Sequence, residues 1–266
     1  MDASSDRSSW YTIEAGRRHV TPYWHAFTSF AKGRWVGRTV LDVLSEEFPH
    51  IDEAYLVENA GAGRLTLNGH PATAHAIFAH GDRLIHMVQR FEPSVPTHPI
   101  GLLHAEDDFI ALNKPAGMPV HHAGRYRRNT LVEILRVERP ELGLDGAGCN
   151  AAKPAAGRAN GEGGLHVLHR LDRPVSGVLL LPRTSAAAAD LGEALRDGRM
   201  RKRYLARVRG RLLTPGASVA VTAPIRVTSA NGATTNECHE AGKHATTIVR
   251  VLLHDPPSDT SLILCE

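Results

Sequence analysis

One carboxylate lies between two guanidinium groups, just before an apolar run, in the segment HVLHRLDRPVSGVLLL. Asp172 follows Arg170 by two positions and is itself followed directly by a second arginine. In an extended chain alternate side chains face the same side, so Arg170 and Asp172 share one face while His169 and Leu171 share the other. A neighbouring arginine favours the charged form of an aspartate. The spacing therefore predicts an ionised carboxylate beside a cation at the mouth of a buried strand.

Metal and nucleotide sites are the other chemistries to consider for this segment. His166 and His169 are three residues apart, which suits metal ligands on one face of a helix, but the flanking pattern is extended and lacks an acidic ligand at a zincin spacing. The chain has no phosphate-binding loop ending in Gly-Lys and no G-x-G-x-x-G motif. HRLD also lacks the further motifs of a kinase catalytic site. We predict neither a metal site nor a nucleotide-binding fold.

Arginine residues cluster in three places. The net charge of +3 and the isoelectric point near 8.9 are too mild to identify a nucleic-acid partner. The clusters are GRYRRNT (124–130), LHRLDRP (168–174) and RDGRMRKRYLARVRGR (196–211). They form one polyanion-binding face if the fold brings them together, and three separate solvated surfaces if it does not. The sequence leaves both arrangements open.

The composition describes an ordinary globular protein of 266 residues, with 42% hydrophobic and 22% charged residues. Three widely spaced cysteines favour a reducing compartment over a disulfide framework or a cysteine zinc site. No apolar run approaches the ~18 to 20 residues that span a bilayer. The first 20 residues have no apolar signal core, and Asp2, Asp6 and Glu14 are unlike a transit peptide. We expect a cytoplasmic or nuclear protein, with a mitochondrial location also open.

The N-terminal third of the chain is predicted to contain an arm and a small domain. Residues 1–36 show little periodicity and are assigned to the arm. The domain spans 37–93, with a helix in RTVLDVLSEEF and a second helix around 52–60. A hairpin with Asn68-Gly69 at its turn and a strand in GDRLIHMV follow.

A linker and a larger domain follow. Three prolines in PSVPTHPIG predict an extended linker over 94–101. Within 102–266, strands are predicted in DDFIALNKP, GVLLLP and KRYLARVRG, and helices in TLVEILRVER and over 184–197. Residues 143–164 are rich in Gly and Ala and carry almost no large apolar side chain, so they cannot offset the entropy of ordering. They are predicted to form a disordered insertion.

Three motifs of the larger domain resemble those of a known family. HVLHRLDRPVSGVLLLPRT resembles the signature His-Arg-Leu-Asp-x-x-(Thr/Ser)-Ser-Gly-Leu-Leu-Leu of the RluA-type RNA pseudouridine synthases, with Val175-Ser176-Gly177 in place of Thr-Ser-Gly. EDDFIALNKPAGMPVHHAG is similar to the family's first motif, and MRKRYLARVRG to its Lys-x-Tyr-x-Ala-x-Val strand. FAKGRWVGRTVLDVLSEEF and GRYRRNTLVEIL point to the eukaryotic branch that includes the RPUSD2-like and yeast Rib2-like enzymes. The resemblance covers 24–135 and 164–266.

The resemblance implies an α+β protein. Its catalytic domain would have the pseudouridine synthase fold, a mixed, largely antiparallel sheet with flanking helices, preceded by a small S4-like α+β domain. Asp172 would be the catalytic aspartate of a reaction that moves the glycosidic bond of uridine from N1 to C5. Because that reaction has no net redox change, no cofactor is expected. The carboxylate either attacks C1′ as a nucleophile or removes a sugar proton to form a glycal, and both routes remain open.

The resemblance also implies roles for residues around the aspartate. Arg170 would help to fill the space left by a nucleotide turned out of its stack. Tyr204 would contact the uracil ring, unless it is a strand tyrosine packed in the core. His169 is expected to be structural.

RNA, whether transfer, ribosomal or messenger, is the expected partner of a monomeric protein that binds no membrane. Cations of the S4-like domain would contact its phosphates, unless 37–93 is an ordinary small α+β domain with exposed cations. The residues predicted to bind RNA are Lys32, Arg34, Arg38, Arg64, Arg125, Arg127, Arg173 and Arg203.

The family's third motif, Gly-Arg-Thr-His-Gln-(Ile/Leu)-Arg, is expected shortly after a strand such as SLILCE, and the sequence stops at Glu266. That motif supplies the arginine expected to pair with the catalytic aspartate. The sequence is therefore expected to be a fragment or a truncated gene model with an incomplete site. Two functions follow: an RNA pseudouridine synthase, or a catalytically incomplete RNA-binding protein that retains the synthase cleft.

Overall fold

The computed structural model describes residues 7–49, 51–142, 144, 165–230 and 233–266. The chain divides into two compact units, Met1–Ala189 and Asp190–Glu266. Every described strand pair is antiparallel, and four α-helices accompany these strands, which confirms the α+β class. No helix in the described ranges is long and apolar enough to cross a membrane.

The first unit contains ten strands and three helices among its described residues, and a fourth helix spans the division between the units. In chain order they are β1 Tyr11–Glu14, β2 Arg17–Val20, β3 Tyr23–Phe30, α1 Val40–Glu47, α2 Glu53–Gly61, β4 Leu65–Leu67, β5 His70–Pro71, β6 Arg83–Arg90, β7 Val95–Pro96, β8 Gly101–Ala105, β9 Phe109–Lys114, α3 Leu131–Glu138, β10 Gly177–Pro182 and α4 Ser185–Arg196.

One four-stranded sheet of the first unit, in the order β3-β6-β4-β5, packs with α1 and α2. Thr39 and Asp52 start the two helices, because their side chains accept hydrogen bonds from backbone N–H groups of the first turns. The apolar stripe of α1 is buried against Leu65 of β4 and Leu84 of β6. Both predicted helices, the hairpin turning at 68–69 and the strand in GDRLIHMV are confirmed.

Residues assigned to an arm and a linker by the sequence are hydrogen-bonded into sheets. β3 pairs along its whole length with β6, from Tyr23 opposite Arg90 to Phe30 opposite Arg83. A second sheet has the order β1-β2-β7, so the segment 95–96 is a short strand inside the region predicted as a linker. These strands are too short or too irregular in polarity to produce a clear alternation in the sequence.

A third sheet, β10-β9-β8, positions the HRLD segment because β10 follows that segment directly. Its inner face packs with α3, which Thr130 caps, in one core that includes Ile110, Leu112 and Leu179. Gly177 at the start of β10 pairs with Lys114 at the end of β9. The strands predicted in DDFIALNKP and GVLLLP and the helix in TLVEILRVER are confirmed. The insertion predicted over 143–164 lies outside the described residues, apart from residue 144.

The second unit is built on a sheet with the order β11-β16-β15-β12. A separate hairpin, β13-β14, lies between β12 and β15 in the chain. The small core of this unit centres on Val249, Val251 and Ile263. The strand predicted in KRYLARVRG and the helix predicted over 184–197 are confirmed. The six strands are β11 Tyr204–Arg209, β12 Ser218–Thr222, β13 Ile225–Ala230, β14 Ala233–Cys238, β15 Thr246–Asp255 and β16 Thr260–Cys265.

Leu112 should be a strong determinant of the stability of the sheet that carries the HRLD segment. Its side chain is fully buried, so Leu112→Ala should lower the free energy of unfolding by about 2–5 kcal/mol through lost burial and a residual cavity. Val178→Ala on the neighbouring strand is the matched control, because Val178 is 59% exposed and should change stability by less than about 0.5 kcal/mol. Chemical denaturation followed by circular dichroism measures both, and equal effects would contradict this assignment.

Candidate active site

A cavity of about 520 Å³ lies in the first unit, and the HRLD segment forms one of its walls. The opposite wall comes from the segment between β9 and α3. Three guanidinium groups and one carboxylate line the space, so its electrostatic potential favours an anion. Its lining residues are Pro93, Pro119, Val120, His121, Ala123, Gly124, Arg125, Tyr126, Arg170, Leu171, Asp172 and Arg173.

The segment 170–173 has the alternation that the sequence predicts. Leu171 is buried, whereas the side chains of Arg170 and Asp172 are 62% and 75% exposed. The guanidinium Nη2 of Arg170 lies 3.8 Å from Oδ1 of Asp172, so the two charges form a loose, solvent-accessible pair. A turn after Asp172 is closed by the N–H of Val175, which donates to the Asp172 carbonyl at 3.0 Å. The carboxylate is therefore open to a ligand in the cavity.

The buried ammonium group of Lys114 anchors the segment 170–173. Its side chain is fully buried at the end of β9, and Nζ donates to the carbonyls of Pro115 at 3.0 Å, Met118 at 2.7 Å and Arg173 at 3.4 Å. Burial lowers the pKa of Lys114 to about 8, and the charge of Asp172 acts in the opposite direction. One ammonium group thus joins the turn after β9 to the segment that carries Asp172.

Gly117 makes the second link between the same two segments. Its N–H donates to the Arg173 carbonyl at 2.7 Å. Its φ is +85°, and a Cβ at this position would lie 2.7 Å from Cγ of Pro96. Both the backbone conformation and the close approach therefore require glycine here.

The loop 123–126 forms the cationic rim of the cavity. Ala123 and Tyr126 exchange backbone hydrogen bonds of 3.0 Å, which close the loop tightly. The Tyr126 hydroxyl accepts a hydrogen bond of 2.9 Å from Nη1 of Arg173. Arg90 of β6 donates to the carbonyls of Gly124 and Arg125 at 3.1 and 3.0 Å. The rim is thereby bonded both to the aspartate segment and to the four-stranded sheet.

The carboxylate of Glu92 organises the next turn of the same loop. It accepts hydrogen bonds from three successive backbone N–H groups, those of residues 127, 128 and 129, at 2.8 to 3.0 Å. The hydroxyl of Tyr23 donates to the same carboxylate at 2.7 Å. Burial and this hydrogen bond raise the pKa of Tyr23. Because successive N–H groups form an anion-binding concavity, Glu92 acts as an internal ligand that sets the backbone of the loop.

Aromatic rings of the N-terminal strands hold the arginine at the centre of this turn. The guanidinium of Arg128 lies 4.1 Å from the ring centre of Trp10 and 3.6 Å from that of Tyr23. The hydroxyl of Tyr11 donates to the Arg128 carbonyl at 2.7 Å. Arg128 is therefore a structural cation and not part of an RNA surface.

His121 is an ionisable group of the cavity that sequence reasoning missed. Burial and, to a smaller extent, the charge of Arg170 lower its pKa. Its Nδ1 is buried and has no hydrogen-bond partner within the described ranges. His169, which was expected to be structural, is partly buried and its Nε2 accepts the backbone N–H of Leu180 at 3.2 Å.

Three of the cations predicted to bind RNA are paired with glutamates of α1. Lys32 and Arg34 both bind Glu47, with Nζ of Lys32 at 2.9 Å and Nε of Arg34 at 3.0 Å. Arg38 binds Glu46 at 2.6 Å. Hydrogen bonds from Trp35, Lys32 and Arg34 lower the pKa of Glu47 to about 2, so the pairing persists at neutral pH.

The other predicted residues fall into three groups. Arg125 and Arg173 line the cavity with Arg170 and Asp172, whereas Arg127 is half-buried beside Glu92, to which its N–H donates. Arg64 lies at the start of β4, where its guanidinium is 4.7 Å from the ring centre of Trp24. Arg203 and Tyr204 belong to the second unit: Arg203 binds Glu266 at 2.7 Å, and Tyr204 is 42% exposed at the start of β11.

Sequence reasoning missed four residues that shape the site: Glu92, His121, Tyr126 and the anchoring role of Lys114. For Lys114 the position of a lysine at the end of an apolar strand and directly before proline was a usable signal. For Glu92 and Tyr126 no signal was available, because their partners lie 35 to 69 positions away in the sequence. Among the described residues, no group of three or more His, Cys, Asp or Glu side chains could hold a metal ion.

The sequence matches a known protein family and is similar to several named proteins. The family model for RNA pseudouridylate synthase matches residues 108–266. The chain is 37% identical to the human pseudouridylate synthase RPUSD2 over 220 residues, which cover 82% of this chain and 36% of that protein. It is 34% identical to RNA pseudouridine synthase 7 of Arabidopsis thaliana over 227 residues, covering 85% of this chain and 52% of that protein.

A yeast relative extends the match over more of the chain. The chain is 29% identical to the mitochondrial tRNA pseudouridine(32) synthase of Saccharomyces cerevisiae over 257 residues, which cover 96% of this chain and 50% of that protein. The chain spans between 36% and 52% of the length of these three relatives.

Lys114 should give the protein a specific dependence of stability on pH. Between about pH 8 and pH 10.5, the unfolded chain binds more protons at this lysine than the folded chain, so its contribution to stability rises with pH. The free energy of unfolding of the wild type, relative to Lys114→Met, should therefore increase across that window. Denaturant titrations at several pH values measure this difference. Lys202→Met, at an exposed position, is the control, and a constant difference for Lys114→Met would contradict the expectation.

Proposed function

Because the chain belongs to the RNA pseudouridylate synthase family, we propose that it isomerises uridine to pseudouridine in RNA, with Asp172 as the catalytic aspartate. The observation that carries this proposal is the position of the Asp172 carboxylate. It is exposed on the wall of a cationic cavity, next to Arg170, and is not enclosed in apolar packing. A buried carboxylate, or one directed away from a cavity, would not have been consistent with it.

The chemistry requires one carboxylate and no redox partner. The bond from C1′ to N1 of uridine breaks, the uracil turns, and C1′ bonds to C5, after which C5 loses a proton and N1 gains one. Asp172 serves this sequence either by attacking C1′ or by removing a sugar proton to give a glycal. Both routes need the carboxylate to reach the ribose, which its exposure in the cavity allows. Atoms and electrons balance within the nucleotide, so we propose that no cofactor takes part.

The arginines around Asp172 would bind the RNA. A cavity of about 520 Å³ lies in the range of small-molecule sites, so it suits one nucleotide turned out of its stack. Arg170 would fill the vacated space, while Arg125 and Arg173 would contact phosphates at the rim. Since Arg173 is held by Tyr126 and Lys114 binds its carbonyl, this cation is preorganised.

Two further parts of the chain would contribute. We propose that residues 37–93 form an S4-like RNA-binding domain, supported by two helices packed on a small sheet. Tyr204 would contact the uracil ring, as the family resemblance implies, and its 42% exposure leaves the ring available. We propose a monomer that acts on RNA in the cytoplasm, the nucleus or mitochondria. The yeast relative is named as a mitochondrial tRNA enzyme, which makes tRNA the first substrate to test.

Asp172→Asn should abolish pseudouridine formation and leave RNA binding intact. The amide keeps the size of the side chain but neither attacks C1′ nor accepts a proton, so the rate should fall by at least roughly a hundredfold. Release of tritium from RNA labelled at C5 of uridine measures the reaction, and a filter-binding assay measures affinity. Asp107→Asn, which neutralises an exposed aspartate between β8 and β9, is the matched control and should keep wild-type activity.

Each outcome of this experiment decides between the two functions that the sequence allows. Tritium release that depends on Asp172 supports the synthase. Wild-type activity in Asp172→Asn would refute the catalytic role of this residue. A wild-type chain that binds RNA without releasing tritium from any cellular RNA fraction would instead support the catalytically incomplete RNA-binding protein.

Arg170→Ala should impair productive engagement of RNA. Without this side chain the gap left by the extruded nucleotide is unfilled, so kcat/KM for tritium release should fall at least about tenfold, equivalent to ~1.4 kcal/mol. Arg211→Ala changes the net charge equally at an exposed position and should have a much smaller effect. If both variants lose the same activity, the effect is one of total charge and not of position.

A further inference from the structure

The two faces of the four-stranded sheet β3-β6-β4-β5 differ in what covers them. One face carries the buried side chains of Leu65, Leu84 and His86, and α1 and α2 pack in the core on that side. The opposite face, called the outer face here, follows from the strand register and is largely exposed. Its residues are Trp24, Ala26, Thr28 and Phe30 of β3, Thr66 of β4, and Arg83, Ile85, Met87 and Gln89 of β6.

Aromatic rings lie at both ends of the outer face. Trp24 is 46% exposed and Phe30 is 66% exposed, whereas the residues between them on β3 are small. The two positions are six residues apart along β3, a distance of about 20 Å. Small residues between aromatic ones leave the ring faces accessible to a flat ligand.

The charges on the outer face have one sign. The guanidinium of Arg64 lies over Trp24 at 4.7 Å from the ring centre, and Arg83 is directly opposite Phe30. None of the face residues is acidic. Arg64 forms an ion pair with Glu58, which is 76% exposed and lies 4.0 Å from Nη1 of Arg64. Such a solvated pair is weak, so Arg64 remains available to an anion.

The end of the sheet that carries Trp24 lies beside the candidate active site, to which Arg90 bonds it from the face opposite to the outer face. Trp24 is opposite Gln89, next to the pair formed by Tyr23 and Arg90. Arg90 donates to the carbonyls of Gly124 and Arg125, which line the cavity. The end of the sheet that carries Trp24 and Arg64 is therefore bonded to the cavity rim.

We propose that the outer face binds unpaired RNA nucleotides that flank the target uridine, with a base stacked on Trp24 and a phosphate at Arg64. Sheet faces that carry aromatic residues bind single-stranded RNA by stacking, and arginine adds the contact to the backbone. Two arginines without an acidic face residue favour a polyanion over a protein surface of mixed charge. This inference rests on the proposed function only in that it assigns the bound strand to the substrate RNA.

The test compares the 266-residue chain with Trp24→Ala, Trp24→Phe and Val57→Ala. The probe is a short, fluorescein-labelled oligouridylate, with an RNA duplex of equal length as the comparison, and binding is followed by anisotropy. Trp24→Ala should weaken binding of the single strand roughly tenfold and binding of the duplex much less. Trp24→Phe should keep most of the affinity because a ring remains. Val57→Ala, an exposed apolar change on α2, should have no effect.

Tryptophan fluorescence gives a second readout that a purely structural role would not move. Of the three tryptophans, Trp35 is buried and Trp10 is partly buried, whereas Trp24 is 46% exposed and is the one open to a base. Unlabelled oligouridylate should quench the wild-type emission, and Trp24→Phe should remove most of that quenching while circular dichroism stays unchanged.

Several results would overturn the inference. They are the absence of single-strand binding by the wild type, equal affinities of wild type and Trp24→Ala, and quenching that persists in Trp24→Phe. Self-association of the wild type that Trp24→Ala abolishes, with RNA affinity unchanged, would identify the outer face as a protein contact instead. Binding that depends on Trp24 in a chain without tritium release would contradict the proposed function alone. An active chain whose RNA affinity is unchanged by Trp24→Ala would contradict this inference alone.

Discussion

The ammonium group of Lys114 is the interaction on which the geometry of the site depends. A lysine ammonium has three N–H donors, and enclosing it without partners is costly. Here three backbone carbonyls accept from it, those of Pro115, Met118 and Arg173. Removing any of these contacts would leave a buried charge undersatisfied. The turn after β9 and the segment carrying Asp172 are consequently held at one separation, and the pairing of Gly177 with Lys114 continues this constraint into β10.

A second constraint acts through Glu92 and through two aromatic residues near the N-terminus. Glu92 satisfies three consecutive N–H groups of the loop at 127–129, and Arg128 is enclosed by the rings of Trp10 and Tyr23. These contacts position the loop that contributes Arg125 and Tyr126 to the cavity. The segment around residues 10–30 therefore supports one wall of the cavity. It does so through the rings of Trp10 and Tyr23 and through the bond from the Tyr23 hydroxyl to Glu92.

How much of the fold and of the site can be predicted from the sequence depends on how far apart the interacting residues lie along the chain. Local patterns identified the four helices, because caps and apolar stripes lie within one segment, and they gave the exposed alternation of Arg170 and Asp172 around buried Leu171. The HRLD motif identified the family, and the comparisons confirm it. The arm and the linker differ from the structure because the pairing of β3 with β6 joins residues about 60 positions apart. Such contacts leave no periodic trace in one sequence, and neither does the bond between Glu92 and its loop.

The arginine clusters show why counting charges along a chain overstates its RNA surface. In GRYRRNT, Arg125 lines the cavity. Arg127 is half-buried, and the guanidinium of Arg128 packs on aromatic rings. Lys32 and Arg34 share Glu47 in the same way. Each cation used internally is unavailable for releasing counterions from a phosphate backbone, so the proposed RNA complex should depend on salt less steeply than the number of cations in the sequence suggests. Specific contacts would then have to supply more of its binding free energy. Three guanidinium groups, those of Arg125, Arg170 and Arg173, line the cavity with one carboxylate, where the proposed function would require selectivity for an extruded nucleotide.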